Sequence, residues 1–88
     1  MAERSVQILN KAGMHARPAA QIVKAAAKFQ SEITLVKDGT EVNGKSIMGV
    51  MMLAAECGST VLLRAIGADA DAALDALEEL VKGKFGER

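Results

Sequence analysis

The stretch Gly13-Met14-His15-Ala16-Arg17-Pro18-Ala19-Ala20 decides how this chain folds, because a loop turns into a helix within it. Pro18 has a fixed φ angle and no N–H group, so it fits the first turn of a helix, where amides lack intrahelical partners. We therefore predict that a helix begins at about Ala16, with His15 as its N-cap. The free amides of Ala16 and Arg17 would then point toward the imidazole ring, at the positive end of the helix dipole.

His15 is the only histidine of the chain, and a lone histidine is most often a surface or structural residue. Its surroundings favour a chemical role instead, because the usual N-caps are Ser, Thr, Asp and Asn. Arg17 adds a permanent cation whose planar guanidinium group matches phosphate oxygens. A neutral imidazole nitrogen beside amide donors and a cation is suited to accept and release a phosphoryl group. We predict that His15 and Arg17 are the catalytic pair and that Ala16 and Arg17 bind the phosphate.

Hydrophobic patterns outside this stretch predict the element order βαββαβα. The predicted strands cover residues 5–9, 32–37, 41–43 and 60–66, and the predicted helices cover residues 16–29, 47–53 and 70–82. Asp38-Gly39 is typical of a tight turn between the second and third strands. Ser46 and Asp69 are good N-caps for the second and third helices. Helices over one face of a mostly antiparallel sheet suit this order, although a ferredoxin-like split βαβ arrangement has the same pattern.

Length and composition indicate one modest domain, residues 1–88, and argue against several functions. The 11 basic and 11 acidic residues leave no net charge, and Trp and Tyr are absent, so nucleic acid is not an expected partner. The single cysteine, Cys57, excludes an intramolecular disulfide and fits a reducing cytoplasm. We interpret it as a buried small apolar residue. No segment is long enough for a signal peptide or a membrane span, so we expect a cytosolic protein without metal or cofactor.

Two motifs resemble the signatures of one known family. Residues 13–19 are similar to the active-site segment of the histidine-containing phosphocarrier family, HPr, of the bacterial sugar phosphotransferase system. Residues 44–51, Gly44-Lys45-Ser46-Ile47-Met48-Gly49-Val50-Met51, resemble its regulatory serine segment. Length, motif spacing and element order also fit, so the resemblance covers essentially the whole chain. It implies an α+β open-faced sandwich, in which three helices cover one face of a four-stranded, mostly antiparallel sheet of order 1-4-2-3.

The resemblance also implies a function. A phosphoryl group derived from phosphoenolpyruvate would pass from enzyme I to His15 and then to IIA proteins, in sugar uptake or regulation. The protein would be a monomeric phosphorelay carrier rather than an enzyme. An ATP-dependent HPr kinase would phosphorylate Ser46, where the helix N-terminus tolerates a phosphate. A nitrogen-related branch of the phosphorelay uses similar carriers, and the sequence leaves the choice between the branches open.

One face of the second helix is apolar and is predicted to contact these partners. Val50, Leu53 and Ala54 are expected to pack inward, which turns the other apolar residues outward. Met52 fits the core and the surface equally well. Flexible methionines suit a surface that binds several partners, and lysines, Lys28 among them, would surround it. The resemblance implies that enzyme I and the IIA proteins share this docking surface, which consists of Ala20, Lys24, Lys45, Ile47, Met48 and Met51.

Two other hypotheses fit the same residues. In the first, the chain is a ferredoxin-like domain that binds a small molecule or hydrolyses an acyl phosphate; Arg17 then binds the ligand anion and His15 only lines the site. In the second, the chain is an interaction module in which His15 has no chemical role. A carrier treated with an acyl phosphate should accumulate stable phosphohistidine at one site, whereas a hydrolase should turn over without a stable adduct.

Overall fold

Alternating apolar residues build a four-stranded sheet in the computed structural model, which describes residues 1–87. In the last strand Val61, Leu63 and Ala65 are buried and the residues between them are more exposed, as expected for a sheet with one covered face. The strands are β1 (Ala2–Gln7), β2 (Glu32–Lys37), β3 (Thr40–Asn43) and β4 (Thr60–Ile66). The bounds of β2 and β4 match the prediction to the residue, whereas β1 lies slightly nearer the start of the chain than predicted.

The sheet has the order β1-β4-β2-β3, and all neighbouring strands are antiparallel. Ala2 lies opposite Ala65 and Gln7 lies opposite Thr60, so β1 ends where β4 begins. The β2–β3 turn is at Asp38-Gly39, as predicted. The predicted open-faced sandwich is confirmed, and the ferredoxin-like arrangement is wrong because β1 and β3 form the two edges of the sheet.

Three helices cover the apolar face of the sheet: α1 (Ala16–Ala26), α2 (Ile47–Met52) and α3 (Ala70–Lys82). α1 contacts both other helices, and α3 also contacts β1 and β4. α1 is shorter than predicted, because the amides of Lys28 and Phe29 donate to carbonyls three residues back. This is the hydrogen-bond pattern of a 3₁₀ turn, which tightens the end of the helix.

The core lies between the sheet and the helices, and the inward residues of α2 belong to it. Val50 and Leu53 are buried, as predicted. Ala54 is exposed, so its predicted inward position is wrong; its φ of 50° takes the chain out of the helix before its side chain can reach the core. The largest buried side chains come from all layers and include Ile8, Ile22, Leu35, Leu63, Leu74 and Leu77.

The side chains of Met52 and Cys57, for which the sequence allowed or predicted burial, lie at the surface. Met52 is 73% exposed, because it lies on the outer side of α2. Cys57 is exposed as well, so its interpretation as a buried residue is wrong. It lies in a turn before β4, where the amide of Ser59 donates to the carbonyl of Glu56, and this turn keeps its side chain out of the core.

Asp69 is the N-cap of α3, as predicted, but its side chain bonds to another segment. Its carboxylate accepts hydrogen bonds from the amides of Gln30 and Ser31, at 2.9 and 3.0 Å, and from the Ser31 hydroxyl. These donors, the Ser31 hydroxyl first, lower the pKa of Asp69 below its ordinary value. Asp69 thus connects the start of α3 to the loop between α1 and β2.

Among residues 1–87 no helix is long and apolar enough to cross a membrane.

Candidate functional site

The loop that presents His15 is fixed by contacts with the segment after α2. Gly13 is buried and has a φ of 70°, and a Cβ atom there would lie 2.6 Å from the carbonyl oxygen of Ala55. Only glycine is compatible with both conditions. The next amide, that of Met14, donates to the same Ala55 oxygen at 2.7 Å, and the Met14 side chain is buried. The two residues before His15, Gly13 and Met14, are therefore both held against Ala55.

His15 is the N-cap of α1, as the sequence predicted. Its backbone is extended, with φ −92° and ψ −169°, and its carbonyl accepts the first helical hydrogen bond from the amide of Ala19 at 3.0 Å. Its side chain makes no capping hydrogen bond. Pro18 has no amide proton, so Ala16 and Arg17 carry the unpaired amides at this end of the helix within residues 1–87. These amides and the helix dipole favour an anion beside the ring.

A carboxylate holds one nitrogen of the His15 ring. Nε2 of His15 lies 3.0 Å from Oε2 of Glu87, and the ring remains accessible because 44% of the His15 side chain is exposed. Oε1 of Glu87 accepts a hydrogen bond from Nδ2 of Asn10 at 3.3 Å. The same Asn10 nitrogen donates to the carbonyl of Gly13 at 2.8 Å. Among residues 1–87, Nδ1 is then the ring nitrogen without a carboxylate partner.

Sequence reasoning did not find Asn10 or Glu87. Asn10 directly follows the predicted first strand and belongs to no motif, yet it is 1% exposed and connects the loop to Glu87. Glu87 is 72 positions from His15 along the chain, and no local pattern links the two.

Arg17 lies in the first turn of α1, where the sequence places it next to the candidate phosphate site. Its side chain is exposed, and it makes no hydrogen bond or ion pair with any other described residue. An arginine that is not held by a carboxylate keeps its guanidinium donors available for phosphate oxygens. His15, Ala16 and Arg17 are consecutive at the start of α1, and their role toward a phosphoryl group stays a prediction.

The predicted docking surface lies along α1 and α2, and its apolar residues are exposed. Met48 is 71% exposed, and Ile47 and Met51 are exposed to a lesser degree. Met52, which sequence reasoning left undecided, extends this surface. Ala20 and Lys24 are exposed on α1, Lys28 is exposed in the turn after it, and Lys45 is half-buried.

Ser46 lies at the far end of this surface from His15. The Lys45 ammonium group donates to the carbonyl of Phe29 at 2.7 Å, so the start of α2 lies beside the end of α1. The Met14–Ala55 bond places the residues after α2 beside the start of α1. His15 therefore lies at the start of α1, and the start of α2, which Ser46 caps, lies toward the end of α1. Ser46 is also a true N-cap, because its Oγ accepts a hydrogen bond from the amide of Gly49 at 3.1 Å.

The comparisons with known proteins agree with one another. The family model described as the phosphorylation site of the HPr component of the phosphotransferase system matches residues 2–83. The phosphocarrier protein HPr of Treponema pallidum is 55% identical over 87 residues, which cover 99% of each chain. HPr of Neisseria meningitidis serogroup A is 46% identical over 99% of this chain and 98% of its own. The crystal structure of an HPr from Thermoanaerobacter tengcongensis superimposes with a TM-score of 0.96 at 49% identity, covering 100% of this chain and 99% of that one.

These matches decide among the hypotheses. The chain is a phosphorelay carrier, so the acyl-phosphate hydrolase and the pure interaction module are wrong. Enzyme I and IIA proteins are the partners that the family implies, and the predicted cytoplasmic location agrees with the family. An HPr-type fold, an HPr family match over nearly all of its length and full-length relatives lead to one conclusion: the chain belongs to the HPr family of phosphocarriers of the phosphotransferase system.

Proposed function

We propose that this carrier holds its phosphoryl group on Nδ1 of His15. The observation that carries the proposal is the pairing of Nε2 with Glu87 at an N-cap whose two amides have no partner within residues 1–87. The paired nitrogen keeps its proton toward the carboxylate, so the lone pair lies on Nδ1. The unpaired amides of Ala16 and Arg17 are on the same end of the helix and receive the negative oxygens.

The transfer follows from this arrangement. The Nδ1 lone pair attacks the phosphorus atom of the donor, and a new N–P bond forms. The bond between phosphorus and the donor atom breaks, and its electron pair stays with the donor. Nε2 keeps its proton throughout, so the phosphorylated ring is cationic and Glu87 faces its positive charge. Delivery to an IIA protein is the same displacement, with the N–P bond now broken and its electron pair returned to Nδ1.

The guanidinium group of Arg17 supplies positive charge where negative charge develops on the oxygens of the transferring phosphoryl group. Its guanidinium group is exposed and unpaired among the described residues, so it moves to the phosphoryl group without losing another contact. A carrier has to release what it binds, and one mobile cation with two amides suits this better than an enclosed pocket. Arg17 therefore stabilises the transition state in both directions of transfer.

We further propose that enzyme I and the IIA proteins dock on the same surface of α1 and α2. The exposed apolar residues Ile47, Met48, Met51 and Met52 support this assignment, because large exposed apolar patches are typical of protein interfaces. Lys24 on α1 and Lys28 in the turn after it add positive charge. A shared surface beside His15 lets one partner replace the other, and the carrier acts as a monomer in each complex.

Ser46 is proposed as a regulatory site for an ATP-dependent kinase. It caps the helix that carries the exposed methionines, so a phosphate there would put negative charge at the edge of the docking surface without breaking the helix. Ser46 and His15 cap different helices, and no bond joins their side chains within residues 1–87, which argues against a direct effect on the ring. Regulation would therefore act on the association with enzyme I.

Labelling with phosphoenolpyruvate and enzyme I tests the carrier site. The protein should gain one acid-labile, base-stable phosphoryl group, and mass mapping should place it on His15. Addition of an IIA protein should then remove the label. Label on another residue, or label that an IIA protein does not remove, would contradict the proposal.

A further inference from the structure

We propose that Glu87 is a positioning residue for His15 and that the segment of residues 83–87, here called the clasp, exists to hold it there. This inference rests on the proposed role of His15 as the phosphoryl acceptor. Glu87 touches neither substrate nor partner in the proposed mechanism. It acts through the ring, by fixing its orientation and the nitrogen that carries the proton.

The clasp is a defined structure with its own anchor in the core. Phe85 is 3% exposed and belongs to the hydrophobic core. Its carbonyl oxygen accepts a hydrogen bond from Nε2 of Gln21 on α1, at 3.1 Å. Inside the clasp the amide of Glu87 donates to the carbonyl of Lys84 at 2.9 Å. These contacts turn the chain back after α3 and fasten it against the helix that His15 begins.

The clasp adopts a backbone that its sequence does not favour. Lys84, Phe85 and Gly86 have consecutive φ angles of 55°, 56° and 78°, all in the left-handed region. Side chains other than glycine enter this region at a cost, so the conformation persists only where the surrounding structure imposes it. Burial of Phe85 and the bond to Gln21 offset that cost. The position of Glu87 is therefore imposed by the fold.

Glu87, at the end of the clasp, contacts two residues of the His15 loop, His15 itself and Asn10. One oxygen of Glu87 meets Nε2 of His15, and the other accepts from Nδ2 of Asn10, which also holds the carbonyl of Gly13. The carboxylate is only 25% exposed, so water competes weakly for these bonds. A carboxylate that accepts from Nε2–H selects the tautomer with its lone pair on Nδ1, as carboxylates do for metal-bound histidines. It also stops the ring from turning, which presents Nδ1 to the donor.

Replacement of Glu87 separates this role from a structural one. In Glu87→Ala we expect ¹⁵N NMR of the imidazole to show a larger fraction of the Nδ1–H tautomer than in wild type. Misplacement of a reacting group slows transfer, so kcat for phosphorylation by enzyme I should fall at least about threefold, with KM for the carrier unchanged because the docking surface is intact. The matched control is Glu32→Ala, the same change at an exposed position of β2, at the end of the sheet away from His15. Glu32→Ala should change neither the tautomer fraction nor kcat.

A second pair of variants tests the clasp without touching the carboxylate. Gly86→Ala adds only a methyl group, at φ 78° and with no neighbour within 4 Å, so it acts by disfavouring the left-handed backbone. Gly39→Ala in the β2–β3 turn is its match, with φ 81° and equally open space. We expect Gly86→Ala to shift the tautomer and lower kcat in the direction of Glu87→Ala, and Gly39→Ala to leave both unchanged.

The outcomes distinguish failure of this inference from failure of the proposed function. If wild type is not labelled on His15, the proposed function fails, and the tautomer measurement still reports whether Glu87 holds the ring. If wild type is labelled but Glu87→Ala keeps both the wild-type tautomer ratio and kcat, the positioning role is overturned. A lower kcat with an unchanged tautomer ratio also overturns it, because Glu87 would then act by another route.

Discussion

A single side chain, His15, provides the reactive atom, and the fold does not depend on it. The side chain is 44% exposed and makes no capping hydrogen bond to α1. We expect His15→Ala to abolish labelling by enzyme I while the free energy of unfolding changes by less than about 0.5 kcal/mol. Labelling with phosphoenolpyruvate and a urea titration measure the two effects. Substantial labelling of the variant would mean that the phosphoryl group is carried elsewhere.

Arg17 is expected to depend on its shape as well as on its charge. Arg17→Lys keeps the cation but loses the planar arrangement of donors that matches phosphate oxygens. Transfer should slow roughly three- to tenfold both from enzyme I and to IIA, with His15 still labelled in the end. Rapid-quench kinetics in both directions measure this effect. Lys82→Arg, at the exposed end of α3, is a control that should leave the rates unchanged. Wild-type rates in Arg17→Lys would remove Arg17 from the mechanism.

The sequence predicts those parts of the site that depend only on neighbouring residues. A proline in the first turn and a histidine before it are sufficient to infer the N-cap, the free amides and the adjacent cation. Asn10 and Glu87 could not be found in this way. Their roles depend on where the chain returns after α3, which is determined by the packing of Phe85 in the core rather than by any neighbouring residue.

The short helix α2 carries four of the seven large apolar side chains that are exposed within residues 1–87. Met48→Glu places a charge at its most exposed predicted contact residue, so association with both enzyme I and IIA should weaken. We expect an increase of about tenfold or more in Kd for each partner by calorimetric titration. Ala72→Glu adds the same charge at an exposed position of α3 and should not change either Kd. Wild-type affinity of Met48→Glu for both partners would exclude a shared surface.

The capping residue of α2 should allow stability and activity to be separated. In Ser46→Asp the carboxylate still caps the helix, so the melting temperature should be held or raised, while KM with enzyme I rises because of the added negative charge. Ser46→Ala loses the cap and should be about 1 kcal/mol less stable, with normal kinetics. A thermal melt beside transfer kinetics at several carrier concentrations measures both. Unaltered kinetics in Ser46→Asp, or a collapsed fold, would leave Ser46 as a cap only.

The sequence predicts which segments form strands and helices where apolar residues recur with a clear period between turn residues. It does not always predict where those elements end. The bounds of β2 and β4 follow from alternation between turn residues. The end of α1 does not, because Ala27, Lys28 and Phe29 are all compatible with a helix and the chain leaves it through a 3₁₀ turn. Met52 and Cys57 illustrate the same limit, since composition alone does not say which way a side chain faces near the end of a short helix or in a turn.

Across the whole molecule, Asp69 connects α3 to the loop that joins α1 and β2. Its pKa is lower in the folded protein than in the unfolded chain, so its bonds stabilise the fold above its unfolded pKa, near 3.8. This stabilisation is lost as the pH falls through the folded pKa. We expect Asp69→Asn to lower stability at pH 7 and to flatten the loss of stability below about pH 4. Urea titrations from pH 7 to pH 2.5 measure this, with Asp71→Asn as the exposed control. A parallel acid profile for Asp69→Asn and wild type would contradict it.

The pairing of β1 with β4 has a consequence for the order in which the molecule is made. The strand that leads into the His15 loop pairs with a strand that is synthesised much later, with Ala2 opposite Ala65. The loop itself is bonded to Ala55, and the His15 ring contacts Glu87. Contacts between distant residues form late in folding, because closing long loops costs entropy. A nascent chain therefore contains the histidine long before it contains the assembled site, and we expect phosphoryl transfer to be slower until the segments around Ala55 and Glu87 have been made.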